Sequence, residues 1–471
     1  MRTIDKIYID GAFVLPHGQE EAPLFNPSTE EQIGIVRLGD EQDVELAVAA
    51  ARRAFPAFSR TSKATRIEML TRLSAAVAAR VDDLAAAMAQ EYGAPPYYTG
   101  FLAQYASVLF LDAAKVLETY DFRRTMGRAE VEMRPAGVAA AITPWNGSYL
   151  FICTKLATAL AAGTTIVLKP SEMSATQTQV LLECIHAANL PDGVVNVVNG
   201  TGAVAGAALS AHPDIAKISF TGSTLVARAV MTAAAQTMKR VTLELGGKGP
   251  SIILDDADLS TVIPQLLMAG FQNSGQACIA GTRILAPKNR LAEVHERLKV
   301  GVAAFKVGAP SDPEVLIGPM VSEKQWNRVQ SYIRLGSEGG ATLLAGGEGR
   351  PEGLVRGWFV KPTIFSNVDN GMRIAQEEIF GPVLCVIPYG DEEEMITIAN
   401  DTNYGLQAYI FSADVERAKR VADRIEAGRV AINDAPHEPL APFGGFKQSG
   451  IGRECGVFGL ESFLEPHAVL V

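Results

Sequence analysis

One cysteine of the chain is surrounded by small residues. Cys278 lies in the segment FQNSGQACIAG, residues 271–281, where glycine and alanine leave little side-chain bulk around the sulfur. A thiol becomes a strong nucleophile once it loses its proton, so an accessible cysteine in a loop is a candidate for covalent catalysis. Most intracellular cysteines instead pack as small, inert hydrophobic residues. Taken alone, Cys278 fits either role.

Two polar residues follow segments with the pattern of strands. Glu244 ends VTLE and precedes two glycines, and Asn146 belongs to TPWN, just after the apolar run GVAAAI. Ligands of α/β folds bind beyond the carboxyl ends of strands. A partly desolvated Glu244 could act as a general base, and the amide of Asn146 could donate to an oxyanion. A capping glutamate and a turn-forming asparagine are the alternatives.

Three turns could contact a nucleotide. Gly222 and Ser223 end a strand where a helix begins, a place that attracts phosphate. Lys169 and Glu172, in LKPSE, could hydrogen-bond the hydroxyls of a ribose. The segment around Gly202, NGTGAVAG, is a weak match to a dinucleotide fingerprint. Each turn also has an ordinary explanation, as a helix cap, a surface ion pair or a tight turn.

Composition and charge exclude several classes of protein. The chain has 471 residues, 48% hydrophobic and 20% charged, which is typical of a soluble protein with two to four domains. A net charge of −10 argues against a nucleic-acid-binding surface. The five cysteines and six histidines are widely spaced and indicate no metal site. Residues 149–168, interrupted by Lys155 and Gly163, predict a buried helix and strand rather than a membrane span. Because no apolar signal segment is recognisable, we expect a reducing, cytoplasmic location and no membrane partner.

The order of the segments predicts an α/β fold. Residues 40–118 have helical composition, and strand and helix patterns alternate in 137–246 and again in 250–433. Such alternation is typical of parallel sheets covered by helices on both faces. Residues 120–135 predict a polar hairpin, and the tail FLEPHAVLV predicts a strand whose exposed edge invites pairing with another chain.

Seven segments, in this order, resemble the NAD(P)-dependent aldehyde dehydrogenase superfamily. They are TPWN (143–146), LKPSE (168–172), FTGS (220–223), ELGGK (244–248), GQAC (275–278), EEIFGPV (377–383) and PFGGFKQSGIGRE (442–454). The resemblance extends from residue 25 to the tail. It implies a Rossmann-like NAD-binding domain (1–119 and 136–246), a catalytic domain (247–458) and an oligomerisation element (120–135 and 459–471). In this family the hairpin extends the sheet of a neighbouring subunit, so the resemblance also implies a homodimer or homotetramer.

The resemblance implies a role for each candidate catalytic residue. Cys278 would attack an aldehyde, and its backbone N–H and the amide of Asn146 would hold the oxyanion. Glu244 would activate the water that hydrolyses the resulting thioester. Lys155 and Glu454 match positions assigned to proton relay.

For the cofactor, the resemblance places Lys169 and Glu172 at the adenosine ribose and Ser223 at the pyrophosphate. It places Glu378 at the nicotinamide ribose, with Phe380 beside it. The other implied cofactor positions are Thr143, Trp145, Ser171, Gly202, Phe220, Gly222 and Leu245. Because the Glu172 carboxylate favours a 2′-hydroxyl and repels a 2′-phosphate, we expect NAD rather than NADP, although Lys169 could tolerate a phosphate.

Two departures from the family pattern bear on the substrate. Gly147 replaces a bulky residue, and Thr154 stands where an aromatic residue is common. Together with Leu150 and Ile279 they are expected to form a wider or more polar tunnel, for an aldehyde larger or more polar than a short alkanal. His437, in the loop before PFGG, could line the mouth of the tunnel or be exposed.

Three other functions fit parts of the sequence. Acylating relatives transfer the acyl group to coenzyme A and commonly lack the glutamate base, which is present here as Glu244. A non-catalytic binding relative would have no need for Cys278, Asn146 and Glu244 together. A cysteine hydrolase would leave FTGS and LKPSE unexplained. The sequence does not identify the aldehyde.

Overall fold

The computed structural model describes residues 1–470, which form twenty-one strands and fifteen α-helices. The strands are β1 (Arg2–Ile4), β2 (Ile7–Ile9), β3 (Ala12–Val14), β4 (Glu21–Asn26), β5 (Glu31–Arg37), β6 (Arg123–Met126), β7 (Ala129–Pro135), β8 (Val138–Ile142), β9 (Ile166–Lys169), β10 (Val195–Val197), β11 (Ile215–Thr221), β12 (Arg240–Glu244), β13 (Pro250–Ile253), β14 (Arg283–Pro287), β15 (Thr342–Ala345), β16 (Thr363–Ser366), β17 (Val383–Tyr389), β18 (Gln407–Phe411), β19 (Arg429–Ile432), β20 (Gly450–Ile451) and β21 (Leu464–Leu470). The helices are α1 (Glu41–Phe58), α2 (Lys63–Ala78), α3 (Val81–Glu91), α4 (Pro96–Thr119), α5 (Ser148–Ala162), α6 (Ala175–Ala187), α7 (Ala207–Ala211), α8 (Thr224–Ala235), α9 (Leu259–Phe271), α10 (Leu291–Val302), α11 (Glu323–Glu338), α12 (Arg373–Gln376), α13 (Glu392–Asn400), α14 (Val415–Ala422) and α15 (Gly456–Glu461).

The first large sheet has eight strands in the order β20-β12-β11-β8-β9-β10-β2-β3. Its five central strands are parallel. Alternate residues of the apolar strand β8 enter different clusters: Ala139 and Ala141 pack with residues of α5, and Ala140 packs with residues of α1. Helices therefore cover both faces of this sheet, as the continuous apolar run predicts.

The second large sheet has seven strands in the order β15-β16-β17-β14-β13-β18-β19. Only the edge strand β15 is antiparallel to its neighbour. The predicted pair of α/β blocks is confirmed. Glu244 is the last residue of β12, in the first sheet. Cys278 lies between α9 and β14, and β14 belongs to the second sheet.

The predicted hairpin is β6 and β7, and the C-terminal strand β21 pairs antiparallel with β7 along its whole length. The residues of β6 are all exposed, so the free edge of this three-stranded sheet faces solvent. An exposed strand edge is a template for pairing. Self-association through this element stays a prediction.

The N-terminal strands are absent from the prediction made from sequence. β2 and β3 are only three residues long and add an antiparallel hairpin to the first sheet, while β1, β5 and β4 form a small separate sheet. Strands of three residues are too short to show the alternation or extended apolar run that reveals strands in a sequence. The two-residue strand β20, from the segment after PFGG, also joins the first sheet beside β12.

Residues 149–168 form helix α5 and strand β9, as predicted. Among the described residues one helix, α4, is long and apolar enough to cross a bilayer, and 56% of its most apolar window is buried. This is weak evidence for a membrane span, because a buried core helix has the same length and composition.

A buried arginine joins several segments of the second sheet. Arg283, at the start of β14, has 0% exposed surface, and burial lowers its pKa to about 10. Its guanidinium donates to the backbone oxygens of Lys248 (2.9 Å), Ile398 (2.8 Å) and Ala399 (2.7 Å) and to Oδ1 of Asn370 (3.0 Å). Removing it would leave buried acceptors without donors, which costs more than losing a surface contact.

We expect Arg283→Met to lower the free energy of unfolding by about 3 kcal/mol or more, because desolvated carbonyl groups lose their partners. The matched control is Arg297→Met, which removes an exposed pair with Glu293 worth about 0.5 kcal/mol or less. Differential scanning calorimetry would show an unfolding temperature several degrees below that of the wild type for Arg283→Met only. Equal transitions in the two variants would contradict the role given to Arg283.

Candidate active site

The loop that carries Cys278 begins with three consecutive left-handed residues. After α9, Asn273, Ser274 and Gly275 have φ values of 52°, 59° and 73°. A Cβ atom at Gly275 would lie 2.3 Å from the backbone carbonyl of Gly381, so only glycine fits without displacing backbone. Left-handed conformations of other residues are costly and persist where surrounding contacts fix them.

Side-chain hydrogen bonds fix this loop. Nδ2 of Asn273 donates to the backbone oxygens of Asn146 and Gln276, both at 3.1 Å. The side chain of Gln276 donates to the oxygen of Pro319 (3.3 Å) and accepts from the N–H of Val321 (3.0 Å). The cysteine loop and the loop before α5 are therefore joined directly.

Asn146 and Cys278 line the same cavity, which has a volume of about 330 Å³. One amide N–H of Asn146 donates to the oxygen of Gln276 at 3.0 Å. A side-chain amide has two such hydrogens, so a second remains available to a ligand. The cavity brings together three of the predicted catalytic residues, Asn146, Cys278 and Glu454.

The predicted tunnel residues Leu150, Thr154 and Ile279 also line this cavity. Gly147 lies behind the wall, since a Cβ atom there would be 3.1 Å from the ring of Phe151, which does line it. Helix α4 supplies much of the remaining surface, through Tyr98, Phe101, Leu102, Tyr105 and Leu109.

The thiol of Cys278 is held in its protonated form. Burial raises its pKa to about 12, and the carboxylates of Glu378 and Glu244 add to the effect. The backbone N–H groups of Cys278 and Ile279 act in the opposite direction. The thiol must therefore lose this proton before the sulfur can attack.

Glu244, at the end of β12, is the unpaired carboxylate of the site. Its side chain is 2% exposed, and neither carboxylate oxygen has a hydrogen-bond partner among residues 1–470. Burial, and then the charge of Glu454, raise its pKa well above the ordinary value, while Lys155 and Arg453 lower it. A Cβ atom at Gly247, three residues on, would lie 2.6 Å from the backbone oxygen of Cys278. Glu244 has the proton affinity of a general base next to the cysteine loop.

Lys155 and Glu454 form a buried ion pair. Nζ of Lys155, on α5, contacts Oε1 of Glu454 and donates to Oγ of Ser219 at 3.0 Å. The Ser219 hydroxyl donates to the same carboxylate at 3.1 Å. Glu454 also lines the cavity, so the pair connects the cavity with the interior.

The predicted adenosine-ribose residues lie together where β9 ends. Nζ of Lys169 donates to Oε2 of Glu172 at 3.1 Å, and burial lowers the pKa of Lys169. Ser171 caps the short turn that follows by accepting from the N–H of Met173. The backbone N–H of Thr143 donates to the oxygen of Lys169, while its buried hydroxyl has no partner among the described residues. This polar group can bind a ligand.

The predicted pyrophosphate residues lie at the N-terminus of α8. Ser223 caps this helix by accepting from the N–H of Val226 at 3.4 Å. The ring of Phe220 lies against Gly222, where a Cβ atom would be 2.5 Å from it. Gly202 begins a short turn of π-helix and has open space on its Cβ side. These positions leave backbone accessible at strand ends, as nucleotide binding requires.

Glu378 and Phe380 adjoin the segment after β12. Oε1 of Glu378 accepts from the N–H of Gly247 at 3.0 Å, and burial raises the pKa of Glu378 to about 6. Phe380 has a φ of 63° and packs edge-on against Trp145, with ring centroids 5.4 Å apart. Leu245, in the same segment, is buried and donates its N–H to the oxygen of Ser449.

Several cavity residues are absent from the prediction made from sequence. Phe101 and Tyr105 lie one turn apart on α4, where their periodicity is that of a core-facing helix stripe. Arg429, at the start of β19, is a lone cation before an apolar run. His437, whose position was open, lines the cavity and contacts the hydroxyl of Tyr105 at 2.9 Å. Cys455 also lines it.

We expect Gly275→Ala to lower the melting temperature by several degrees and to change the rate at which iodoacetamide alkylates Cys278. The added methyl group overlaps the backbone of Gly381, so the cysteine loop must move. Gly340→Ala is the matched control, because Gly340 has a φ of 88° and no atom within 4 Å of its Cβ position. Its cost is limited to backbone strain of about 1 kcal/mol. Identical behaviour of the two variants would show that the contact does not hold the loop.

Comparison with known proteins places this site in a family. The sequence profile of the aldehyde dehydrogenase family matches residues 13–469. The chain is 48% identical, over 100% of its length and 99% of the relative, to 3-succinoylsemialdehyde-pyridine dehydrogenase of a Pseudomonas species. Its structure matches a mutant of aldehyde dehydrogenase C from Pseudomonas syringae, complexed with NAD+ and octanal, with a TM-score of 0.98, 45% identity and coverage of 99% and 96% of the two chains. It matches a Mycobacterium tuberculosis aldehyde dehydrogenase complexed with NAD+ with a TM-score of 0.96, 41% identity and coverage of 100% and 98%. The chain belongs to the aldehyde dehydrogenase family.

Proposed function

We propose that this NAD-dependent aldehyde dehydrogenase oxidises its aldehyde to a carboxylic acid through a covalent thioester on Cys278. The observation that carries this mechanism is the buried carboxylate of Glu244, unpaired and next to the cysteine loop. A desolvated carboxylate with a raised pKa is suited to take a proton from water. It has no structural hydrogen bond to break before it does so.

The first step joins the sulfur of Cys278 to the aldehyde carbon. The free N–H of the Asn146 amide and the backbone N–H of Cys278 stabilise the oxygen as it gains negative charge. The thiol proton must leave first because its pKa is about 12. We assign this proton to solvent at the cavity that Cys278 lines, while Glu244, whose charge raises that pKa, acts in the later hydrolysis step.

NAD, when bound, would accept the hydride that leaves the carbon bonded to the Cys278 sulfur, which gives the thioester. Lys169 and Glu172 would hold the adenosine ribose, Ser223 the pyrophosphate, and Glu378 the nicotinamide ribose. The partnerless hydroxyl of Thr143 and the open space at Gly202 fit a nucleotide at these strand ends.

Glu244 then takes a proton from the water that attacks the thioester, and the acid is released. The ion pair of Lys155 and Glu454 adjoins the cavity and contacts Ser219, so it provides a path for protons away from Glu244. The charge of Glu454 contributes to the raised pKa of Glu244, so the two carboxylates interact electrostatically.

The cavity favours an aldehyde larger than a short alkanal. Its lining is largely aromatic and aliphatic and its volume is about 330 Å³. Acetaldehyde would leave most of this surface without contact. The octanal bound by the P. syringae enzyme and the pyridine-containing substrate in the name of the Pseudomonas relative support a bulky aldehyde here. An aldehyde panel in which acetaldehyde has the highest kcat/KM would contradict this preference.

Transfer of the acyl group to coenzyme A is the alternative second half-reaction. It needs no water-activating base, so the buried Glu244 would have no role. The retained carboxylate therefore favours hydrolysis.

We expect Glu244→Gln to produce a rapid burst of about one NADH per subunit, followed by turnover about 100-fold or more slower than that of the wild type. The covalent intermediate forms, but water is no longer deprotonated. Cys278→Ala should give neither burst nor turnover, and the exposed Glu416→Gln should match the wild type. Stopped-flow absorbance of NADH separates these results.

The wild-type deacylation rate should rise with pH as Glu244 loses its proton, and Glu244→Gln should lack this limb. If coenzyme A restores full wild-type turnover to Glu244→Gln after its burst, the acylating alternative is favoured. Turnover by Cys278→Ala would contradict the covalent mechanism altogether.

We expect Glu172→Gln to raise the kcat/KM ratio of NADP to NAD by about 10-fold, because it removes a charge that repels the 2′-phosphate. Glu183→Gln, on the next helix and paired with Arg80, is the control and should leave the ratio unchanged. Steady-state kinetics with both cofactors measures the ratio. A wild-type preference for NADP would overturn the role given to Glu172.

A further inference from the structure

The aldehyde cavity contains a cation that has no ion-pair partner among the described residues, although the carboxylates of Asp112 and Glu438 also act on its neighbour His437. Arg429 lines the cavity and is half-buried, and among residues 1–470 its guanidinium forms neither an ion pair nor a hydrogen bond. Two other arginines withdrawn from solvent have acceptors: the buried Arg283 donates to three backbone oxygens and an amide, and the partly buried Arg417 binds carboxylates. Arg72, on α2 and outside the cavity lining, resembles Arg429 in having none. A half-buried guanidinium without acceptors is a binding group for an anion.

The position of Arg429 is fixed. Its backbone N–H donates to the oxygen of Leu406 as β19 begins, and its guanidinium carbon lies 5.5 Å from the ring centroid of Phe443. Phe443 exchanges two backbone hydrogen bonds with Glu454 (2.8 and 2.7 Å). The cation therefore stacks on an aromatic ring that is anchored next to the catalytic ion pair, which leaves its N–H groups free for a ligand.

The other charged and polar groups of the cavity do not compensate this cation. Glu454 is already paired with Lys155. The ring of His437 contacts Tyr105, and burial, followed by the charge of Arg429, lowers the pKa of this histidine, so it is uncharged at neutral pH. The hydroxyl of Tyr409 donates to the oxygen of Ile279. The cavity thus combines a reactive thiol and apolar walls with one free positive charge.

We propose that the substrate carries a carboxylate at the end remote from its aldehyde, separated by an apolar chain or ring, and that Arg429 binds this carboxylate. This inference rests on the proposed oxidation at Cys278 and adds the class of substrate. Guanidinium and carboxylate form paired, charge-assisted hydrogen bonds whose planar geometry selects this group. The net charge of −10 repels anions at long range, so a preference for them requires a local cation.

The test compares two matched pairs of aldehydes of different length: 4-formylbenzoate with 4-methylbenzaldehyde, and 8-oxooctanoate with octanal. In the wild type, at least one carboxylated aldehyde should have the higher kcat/KM of its pair. In Arg429→Met, kcat/KM for the carboxylated aldehyde divided by kcat/KM for its neutral partner should fall by about 10- to 100-fold. The fall should come mainly from a higher KM for the carboxylated aldehyde, because charge-assisted hydrogen bonds are lost. Arg429→Lys should restore part of the ratio.

Arg420→Met is the matched control. Arg420 is exposed on α14, and its substitution makes the same change in net charge without touching the cavity. Its ratio should equal that of the wild type. If Arg429→Met fails to fold, salt titration of the wild type gives the answer, since rising ionic strength should raise KM for the carboxylated aldehydes only.

Four results would overturn the proposal. The first three are a wild-type preference for the neutral member of both pairs, an unchanged ratio in Arg429→Met, and an equal loss of kcat/KM for both members, which indicates a structural role. An equal loss for neutral 4-acetylbenzaldehyde and 4-formylbenzoate would show that Arg429 binds any acceptor rather than an anion, and would also overturn it. Failure of the oxidation itself is recognised separately, because then no aldehyde yields NADH or Cys278→Ala remains active.

Discussion

The left-handed turn at residues 273–275 is the constraint on which the site depends. It reverses the chain after α9 and places the cysteine loop against two other loops. Asn273 binds the backbone of Asn146, and Gly275 packs against Gly381, which follows the segment of Glu378 and Phe380. The positions of Cys278, Asn146 and Glu378, the proposed nucleophile, amide donor and nicotinamide-ribose ligand, are therefore coupled through one turn. The left-handed conformations of Asn273 and Ser274 are tolerated because hydrogen bonds fix both residues.

The site also depends on giving its carboxylates different surroundings. Glu454 has a lysine and a serine as partners, whereas Glu244 is also buried but has no hydrogen-bond partner within residues 1–470. Burial, and then the charge of Glu454, raise the pKa of Glu244. Two glutamates that look alike in the sequence thus have different surroundings, one bound in an ion pair and the other free to accept a proton.

The sequence predicts those parts of the fold that are determined locally. Apolar strands such as β8 and β17 and the alanine-rich helices α1 to α4 are encoded by composition and periodicity. The short strands β2, β3 and β20 depend on pairing with distant strands, so nothing in their own residues reveals them. Asn146 and Glu244 were predictable as candidates because they lie at strand ends, and Cys278 because of its small neighbours and the family motif around it. The residues of the cavity wall were not predictable from sequence. Tyr105 lies in a helix stripe that looks like a core-facing stripe, and Arg429 begins an apolar strand. Gly147 contacts Phe151, which lines the cavity, rather than lining it itself.

The ion pair between Lys155 and Glu454 joins residues separated by 299 positions, and Ser219 reaches the same carboxylate across 235. Chains emerge from the ribosome N-terminal end first, and early-made domains fold as units before later ones appear. Lys155 is therefore synthesised with the first sheet, long before its counter-ion. Glu454 is the last residue of the predicted catalytic set to be synthesised, so a chain halted before it contains Lys155 without the carboxylate that pairs with it.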